Sequence, residues 1–236
     1  EQAVQTLQDK FFYSKKQTIV FYAPTGSGKT IMLINLMDRI IEYNFNSKDY
    51  VFIWLTPGNG ELEEQSWNKS KDYGKFVKSL TLDEALTSGF QANTATFLNW
   101  ERVKNDKAIA LRGGDTKSLD DIIKNAKHRG LEFVVIVDEE HRNQTEKAQW
   151  IIDKFDSYKI IRASATPKSQ SSDYDNVQVN DEDVISQGLI VRNVELNPDG
   201  VDGDVVDNMV QYFLDLADDK RRQIKAEYRK LGLSIN

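Results

Sequence analysis

A glycine-rich stretch near the start of the chain reads Ala23-Pro24-Thr25-Gly26-Ser27-Gly28-Lys29-Thr30. An apolar run at residues 18–22 precedes it, and a helical pattern of apolar residues at 31–41 follows it. A strand, a glycine-rich loop that ends in Gly-Lys-Thr, and a helix, in this order, are typical of a phosphate-binding loop. The stretch therefore predicts a site for the phosphates of a nucleotide.

The residue types in this loop explain how it would hold phosphate. Gly26 and Gly28 let the backbone curl so that successive N–H groups point at one anion, and the following helix adds the positive end of its dipole. The Lys29 ammonium would reach the β- and γ-phosphates, and the Thr30 hydroxyl would be a ligand of Mg²⁺. We expect ATP and Mg²⁺ as cofactors, with ATP bound by Pro24, Thr25, Gly26, Ser27, Gly28, Lys29 and Thr30.

A second apolar run, at residues 133–137, ends in Asp138, Glu139 and Glu140. Ligands of open α/β sheets bind beyond the carboxyl ends of the strands, so these acids face the phosphate loop if their strand lies beside the first. Asp138 would then hold Mg²⁺, usually through water, and Glu139 would orient the attacking water. The predicted catalytic residues are Lys29, Asp138 and Glu139, and the predicted metal ligands are Thr30 and Asp138.

A short polar segment at residues 164–167 follows another apolar run. The hydroxyls of Ser164 and Thr166 can hydrogen-bond back to the acidic segment, which would couple the two. The other interpretation is an ordinary exit from a strand, ended by proline. His141 also has two interpretations: it either connects the nucleotide to this segment or is a polar residue at a helix start.

The composition limits the class of protein. The chain has 236 residues, of which 39% are hydrophobic, enough for one large domain or two small ones. It has no cysteine, which excludes a disulfide framework and a thiolate metal site. Its net charge is −6, whereas a dedicated nucleic-acid-binding module is usually basic. No apolar run has the length of a membrane span and no signal peptide is evident, so we expect a soluble cytoplasmic protein that binds no membrane.

Apolar runs alternate with helical patterns along most of the chain. Fully apolar strands between helices indicate a mostly parallel sheet covered on both faces, so we predict an α/β fold. The predicted strands are residues 18–22, 50–55, 94–98, 108–111, 133–137, 159–163 and 188–196, and the predicted helices are residues 30–43, 61–71, 119–128 and 144–155. Residues 168–175 are predicted to form an exposed loop and residues 197–200 a turn.

A long amphipathic pattern at residues 204–231 predicts a single C-terminal helix. Acidic residues lie at its start and basic residues toward its end, as the helix dipole favours. The basic cluster at residues 220–222 could contact phosphate, but a solvated helix face is the simpler interpretation.

Taken in chain order, the three polar segments resemble motifs I, II and III of the second helicase superfamily, the DEAD/DEAH-type ATPases. Ala23 stands where the strict phosphate-loop pattern has glycine, and alanine is common there in that superfamily. Thr56 and Pro57 resemble motif Ia, whose strand end and loop contact one nucleic-acid strand. The resemblance implies a RecA-like ATPase domain in which the coupling residues are His141, Ser164 and Thr166.

A closer resemblance is to the ATPase-translocase (Res) subunit of type III restriction enzymes. The stretch Asn99-Trp100-Glu101 is similar to one found in that group, as are residues 184–190 with the long charged helix that follows. This likeness implies DNA as a partner, with nucleic-acid contacts at Thr56, Pro57, Asn99 and Trp100. It also implies a modification subunit as a candidate partner.

Motors of this type have two RecA-like domains, and the second supplies arginines that stabilise the transition state. The sequence shows no second phosphate loop and no recognisable arginine motif. We therefore expect the first motor domain of a longer protein, with a RecA-like domain at residues 1–196 and a helical lead-out at 197–236. Such a fragment would have little activity by itself.

The leading hypothesis is thus the ATP-binding domain of a DNA-dependent ATPase, helicase or translocase. Two alternatives stay open at this point. One is a nucleotide-binding switch without translocation, which would bind ATP or GTP tightly and ignore nucleic acid. The other is an assembly domain that docks a modification subunit through the helix at residues 204–231.

Overall fold

The computed structural model describes residues 1–57, 61–99, 118–139, 146–166, 172–186, 188 and 206–230. Within these residues the chain forms seven strands and eight helices. The strands are β1 (Thr18–Tyr22), β2 (Asp49–Thr56), β3 (Lys78–Thr81), β4 (Thr94–Asn99), β5 (Leu131–Val137), β6 (Lys159–Ser164) and β7 (Asp175–Gln178). The helices are α1 (Gln2–Tyr13), α2 (Lys29–Glu42), α3 (Glu61–Tyr73), α4 (Leu82–Ser88), α5 (Leu119–His128), α6 (Glu146–Lys154), α7 (Asp181–Ser186) and α8 (Val206–Lys230).

The seven strands form one sheet in the order β3-β4-β2-β5-β6-β1-β7, and every neighbouring pair is parallel. Parallel strands need crossover connections that cover both faces, which is why their sequences are almost continuously apolar. In this order β1 lies between β6 and β7, and β5 lies between β2 and β6. The predicted α/β fold with a mostly parallel sheet is confirmed.

Alternate residues of the strands pack into two separate cores, one on each face of the sheet. In β2, Ile53 and Leu55 belong to the core that includes residues of α5 and α6. Phe52 and Trp54 belong to the other core, with residues of α1 and α2. All four side chains are fully buried, and the switch of side at each residue is the two-residue period of a strand. The sheet is therefore held from both faces, and it presents its carboxyl edge to the loops of the site.

The predicted strands and helices that the structure describes are confirmed, with boundaries within two residues of those predicted. Helix α5 begins where predicted because Ser118 and Asp121 form a capping box: the Asp121 N–H donates to Ser118 Oγ at 3.2 Å, and the Ser118 N–H donates to the Asp121 carboxylate at 3.3 Å. The predicted strand at 108–111 and the predicted turn at 197–200 lie outside the described residues.

Five elements were not predicted, namely α1, β3, α4, β7 and α7. Strands β3 and β7 have four residues each, which is too short for their alternation to be distinguished from a loop. The predicted loop at 168–175 is wrong at its last residue, because Asp175 begins β7 and is buried. The predicted strand at 188–196 is wrong at its first residue, because Gly188 lies in a turn with φ of +70°; residues 189–196 lie outside the described residues.

The chain divides into two compact units, Glu1–Arg192 and Asn193–Asn236. The first unit contains the whole sheet. The second contains α8, in which Asp218 forms ion pairs of 2.7 Å with both Arg221 and Arg222. The predicted long helix is confirmed over its described residues, and the predicted boundary after residue 196 stays a prediction. In the described part of the chain, no helix combines the length and the apolar character needed to cross a membrane.

Candidate nucleotide site

The glycine-rich loop joins the carboxyl end of β1 to α2. Gly26 and Gly28 both have φ of +84°, a left-handed conformation in which any other residue would be strained. Gly28 is also the N-cap of α2, the residue directly before the helix, so the free N–H groups of the first helical turn lie at the loop. The Ser27 N–H donates to the Pro24 carbonyl oxygen at 3.1 Å and closes the turn. The loop therefore has the form expected for anion binding.

The lysine of this loop meets an acid from a distant part of the sequence. Lys29 Nζ donates to Glu139 Oε1 at 3.1 Å. The Lys29 side chain is 9% exposed and that of Glu139 is 29% exposed, so the pair is shielded from water more than a surface ion pair is. The structure thus brings together the predicted catalytic residues Lys29 and Glu139.

The strands that carry these two residues are not neighbours. Strand β6 lies between β1 and β5, so the condition that the acidic strand lie beside the first is not met. The side chains still meet because parallel strands end at one edge of the sheet, and adjacent strands are only about 4.8 Å apart. The end of β6 is thereby placed between the phosphate loop and the acids.

Asp138 is buried beside Glu139, with 7% of its surface exposed. Burial raises the pKa of Asp138 to about 6, although the Lys29 ammonium acts in the opposite direction. The Asp138 N–H donates to the Leu55 carbonyl oxygen at 2.9 Å, and the Asp138 carboxylate accepts the Glu139 N–H at 3.0 Å. Glu139 has φ of +53°, a strained value for a residue with a side chain. Burial therefore makes the Asp138 carboxylate costly to ionise, and the Lys29 ammonium offsets part of that cost.

Ser164, at the end of β6, is fully buried and connects to the phosphate loop. Its carbonyl oxygen accepts the Ala23 N–H at 3.2 Å, and its hydroxyl accepts the Thr166 N–H at 3.2 Å. The bond from Ala23 ties the third polar segment to the first, and the bonds of Ser164 and Thr166 to the acidic segment stay a prediction. The coupling role of Ser164 and Thr166 stays a prediction, and His141 lies outside the described residues.

The predicted nucleic-acid contacts lie at the carboxyl ends of β2 and β4, which are neighbours. Thr56 and Asn99 are 1% and 2% exposed, and Pro57 is also buried. The Thr56 hydroxyl donates to the Leu98 carbonyl oxygen at 3.5 Å, so it joins the two strand ends. Trp100 lies outside the described residues. A role of these residues in nucleic-acid binding stays a prediction.

The donor set of the site fits a magnesium ion that is shared with a nucleotide. Among the described residues, no group of three or more His, Cys, Asp or Glu side chains could hold a metal. Mg²⁺ typically binds one or two carboxylates together with substrate phosphates and keeps several waters. Asp138 offers such a carboxylate, and Thr30, in the first turn of α2, offers a hydroxyl.

A polar cleft beside the phosphate loop was not predicted from the sequence. It has a volume of about 490 Å³, and its lining includes Pro24 and Thr25 of the loop, Ala165, and the segment from Gln178 to Asp183. The last segment comprises the end of β7 and the start of α7, two of the elements whose patterns are too short to read. The cleft exists because β7 pairs with β1.

A parallel sheet with a phosphate loop after one strand and paired acids at the same edge defines an ATPase core of RecA-like fold. Within that class, the family model described as "Type III restriction enzyme, res subunit" matches residues 1–169, and the chain belongs to this family.

The chain is also similar to parts of other known proteins. The chain is 37% identical over 82 residues to the DExH-box ATP-dependent RNA helicase DExH12 of Arabidopsis thaliana. The matched residues are 31% of this chain and 4% of the helicase. A nuclease-deletion mutant of the Type ISP restriction-modification enzyme LlaGI, solved with a DNA substrate mimic, has a TM-score of 0.50 at 16% identity, over 80% of this chain and 20% of that one. The SWI2/SNF2 ATPase core of Sulfolobus solfataricus, solved with dsDNA, has a TM-score of 0.47 at 13% identity. The match covers 73% of this chain and 32% of that one. The structural likenesses concern the fold alone.

Proposed function

We propose that the chain is the ATP-binding motor domain of a DNA-dependent ATPase, helicase or translocase, and that its parent protein is the Res subunit of a type III restriction enzyme. The observation that carries the proposal is the meeting of Lys29 with Glu139 at 3.1 Å beside the buried Asp138. An ammonium and two acids at the mouth of a phosphate loop are the parts that ATP hydrolysis requires.

In the proposed reaction, the triphosphate enters the loop and Lys29 moves from Glu139 to the β- and γ-phosphates. Glu139 is then free to accept a hydrogen bond from a water molecule and to orient it toward the γ-phosphorus. A bound Mg²⁺, held by Thr30 and Asp138, would neutralise charge on the phosphates. The water oxygen forms its bond to phosphorus as the bond to the leaving ADP oxygen breaks, and one proton of the water passes to the Glu139 carboxylate.

Hydrogen bonds connect this site to the strand ends where nucleic acid is predicted to bind. The Asp138 N–H donates to the carbonyl oxygen of Leu55, the residue before Thr56. Thr56 in turn donates to Leu98, the residue before Asn99. A movement of the acidic turn on nucleotide binding would therefore reach the ends of β2 and β4.

The chain spans 4% of the RNA helicase and 20% of the LlaGI chain that it matches, so the partners proposed here belong to the parent protein. We infer a second RecA-like domain that supplies transition-state arginines, duplex DNA or one strand of it as the track, and a modification subunit. The proposed compartment is the cytoplasm. Pull-down of the modification subunit by the parent protein, with and without the residues of α8, would test that partner.

The main experiment measures the ATPase rate of this chain and of the parent protein, with and without duplex DNA. We expect weak turnover by the chain, DNA-stimulated turnover by the parent protein, and its loss in Lys29→Ala. Lys15→Ala is the matched control, because Lys15 is exposed and lies before the amino end of β1, away from the loop. Turnover by the parent protein that ignores both DNA and Lys29→Ala would contradict the proposal.

A second measurement decides between nucleic acids. The same assay is run with duplex DNA, single-stranded DNA and RNA of one sequence. We expect DNA to stimulate turnover more than RNA does. Stimulation by RNA alone would move the proposal to an RNA helicase, and no stimulation by any of them would favour a nucleotide switch.

A further inference from the structure

Trp54 of β2 carries a buried hydrogen-bond donor that the hydrolysis mechanism does not use. The side chain is fully buried. Among the described residues, no acceptor lies in hydrogen-bond geometry to its buried indole Nε1 atom. A buried N–H without an acceptor costs free energy, so its retention in a native structure needs an explanation. The group that this N–H faces is set by the position of the ring in the sheet.

Trp54 lies on the same face of the sheet as Asp138, on the neighbouring strand. It is in register with Ile136 of β5, and both residues belong to the core that contains residues of α1 and α2. Asp138 follows Ile136 by two residues, and the bond from its N–H to the Leu55 carbonyl oxygen at 2.9 Å continues the pairing of the two strands. The two-residue period of a strand therefore puts the Asp138 carboxylate on the face of Trp54, nearer the carboxyl edge.

The indole ring is held in place from its other side by β4. Trp54 is in register with Phe97 of that strand, and the two rings stack with their centroids 5.5 Å apart and their planes at 28°. A stacked ring in a close-packed core has little freedom to turn. The direction of the indole N–H is therefore fixed by the fold.

The Asp138 carboxylate responds to this donor. Burial is the largest influence on Asp138 and raises its pKa, whereas the Trp54 N–H lowers it, as a donor to the charged form does. The donor thus acts on the carboxylate, although the contact misses the full geometry of a hydrogen bond. A cation that binds one oxygen of Asp138 would leave the other oxygen to complete this bond.

We propose that Trp54 is a positioning residue for Asp138: its indole N–H holds one carboxylate oxygen, so that the other faces Mg²⁺ and its waters when nucleotide is bound. The inference rests on the proposed function, in which Asp138 holds Mg²⁺. Substitution of a group that orients a metal ligand typically lowers metal affinity by roughly 10- to 100-fold. Removal of the indole N–H should therefore weaken the contribution of Mg²⁺ to nucleotide binding and leave the phosphate loop itself unaffected.

The test measures the Kd of ATP by calorimetry on the whole chain, once in Mg²⁺ and once in EDTA. Trp54→Phe keeps an aromatic ring in the core but has no N–H. We expect it to raise the Kd in Mg²⁺ about tenfold and to leave the Kd in EDTA unchanged. Trp67→Phe is the matched control, because Trp67 packs against the same core from α3 and its buried Nε1 also has no acceptor among the described residues.

The Asp138→Asn background shows whether the effect passes through Asp138. In that background Trp54→Phe should no longer change the Kd in Mg²⁺, because two substitutions that act through one group are not additive. The same tenfold rise in both backgrounds would overturn the inference.

A spectroscopic measurement applies even where Trp54→Phe does not fold. In the ¹⁵N-labelled chain with Trp54 intact, we expect Asp138→Asn to move the indole N–H proton resonance of Trp54 upfield. The reason is that a neutral amide is a weaker acceptor than a carboxylate. The indole resonance of Trp67 should not move.

The outcomes separate this inference from the proposed function. A Kd that Trp54→Phe leaves unchanged in Mg²⁺, or raises equally in Mg²⁺ and in EDTA, overturns the positioning role and leaves the ATPase proposal intact. A Trp54 resonance that does not move in Asp138→Asn overturns the role as well. If the unaltered chain binds no ATP with or without Mg²⁺, both proposals are overturned.

Discussion

At the scale of single residues, the charged side chains of the site pair with one another. Lys29 pairs with Glu139, and Asp138 lies buried next to both. In this arrangement the lysine is paired with the same acid that, in the proposed mechanism, orients the attacking water. Nucleotide binding must therefore break an ion pair before hydrolysis can begin. Lys29 thus exchanges Glu139 for phosphate when nucleotide binds, and single substitutions can test this exchange.

We expect Glu139→Gln to bind ADP more tightly and to hydrolyse ATP far more slowly. The amide no longer competes with phosphate for Lys29, which is worth about 1 kcal/mol, or roughly a fivefold lower Kd. Loss of the carboxylate that orients water lowers turnover about 100-fold or more. Glu132→Gln is the control, because Glu132 pairs with Lys48 at 2.8 Å at the opposite end of β5. Weaker ADP binding in Glu139→Gln would contradict the exchange.

A second prediction at this scale concerns pH. Because burial raises the folded-state pKa of Asp138 from 3.8 to about 6, the folded chain holds this proton more tightly than the unfolded chain does. Stability from this group is therefore full below pH 4 and is lost as the pH rises through 6. Asp138→Asn has no carboxyl to ionise, so it does not lose this stability at high pH. At pH 7.5 the substitution should raise the free energy of unfolding by at most about 3 kcal/mol.

The measurement is urea unfolding of both proteins in EDTA without nucleotide, at pH 7.5 and at pH 4.5. The gain from Asp138→Asn should shrink at the lower pH, where the wild-type carboxyl is protonated in the folded state. An equal gain at both pH values would show that ionisation of Asp138 is not its cause.

At the scale of elements, hydrogen bonds at the strand ends and loops hold the site together. Strand β6 joins the phosphate loop through the bond from Ala23 to Ser164, and β2 joins the acidic turn through the bond from Asp138 to Leu55. Helix α2, which begins at the loop, is fastened elsewhere by Asp38. Its buried carboxylate accepts the N–H groups of Lys75, Phe76 and Val77 at 2.8, 2.8 and 3.0 Å.

We expect Asp38→Ala to destabilise the chain by about 3 kcal/mol, because three backbone donors, including that of the buried Val77, lose a charged acceptor. Asp38→Asn should cost less, since one oxygen remains. Asp9→Ala, an exposed acid on α1, is the control for loss of a helical carboxylate. The free energy of unfolding in urea measures all three. A change in Asp38→Ala no larger than that in Asp9→Ala would contradict this role.

At the scale of the whole molecule, the described residues of the nucleotide site all lie in the first compact unit, Glu1–Arg192. This unit has its own two cores, one on each face of the sheet. The second unit, Asn193–Asn236, contains α8, a helix with exposed ion pairs along its surface.

We expect a chain that ends at Arg192 to fold and to bind ATP with the Kd of the whole chain. The reason is that the loop, the acids and both cores belong to the part that remains. Circular dichroism and calorimetry with ATP measure the two properties. Loss of ATP binding in the shortened chain, with its fold retained, would show that residues 193–236 contribute to the site.

Local patterns in the sequence were enough to predict the phosphate loop, the apolar strands and helix α5. The positive φ angles of Gly26 and Gly28 and the cap at Ser118 depend on residues within a few positions of each other. Such features can be predicted without knowledge of the rest of the chain, because the interactions that produce them are local.

Only the tertiary structure decided the strand order and what that order brings together. It inserted β6 between β1 and β5, closed the ion pair of Lys29 with Glu139 across the sequence, and formed the cleft by pairing β7 with β1. These contacts follow from how strands and helices pack into two cores, and packing depends on all elements at once. The residue types for phosphate chemistry are therefore encoded locally, whereas their meeting at one edge of the sheet is a property of the whole fold.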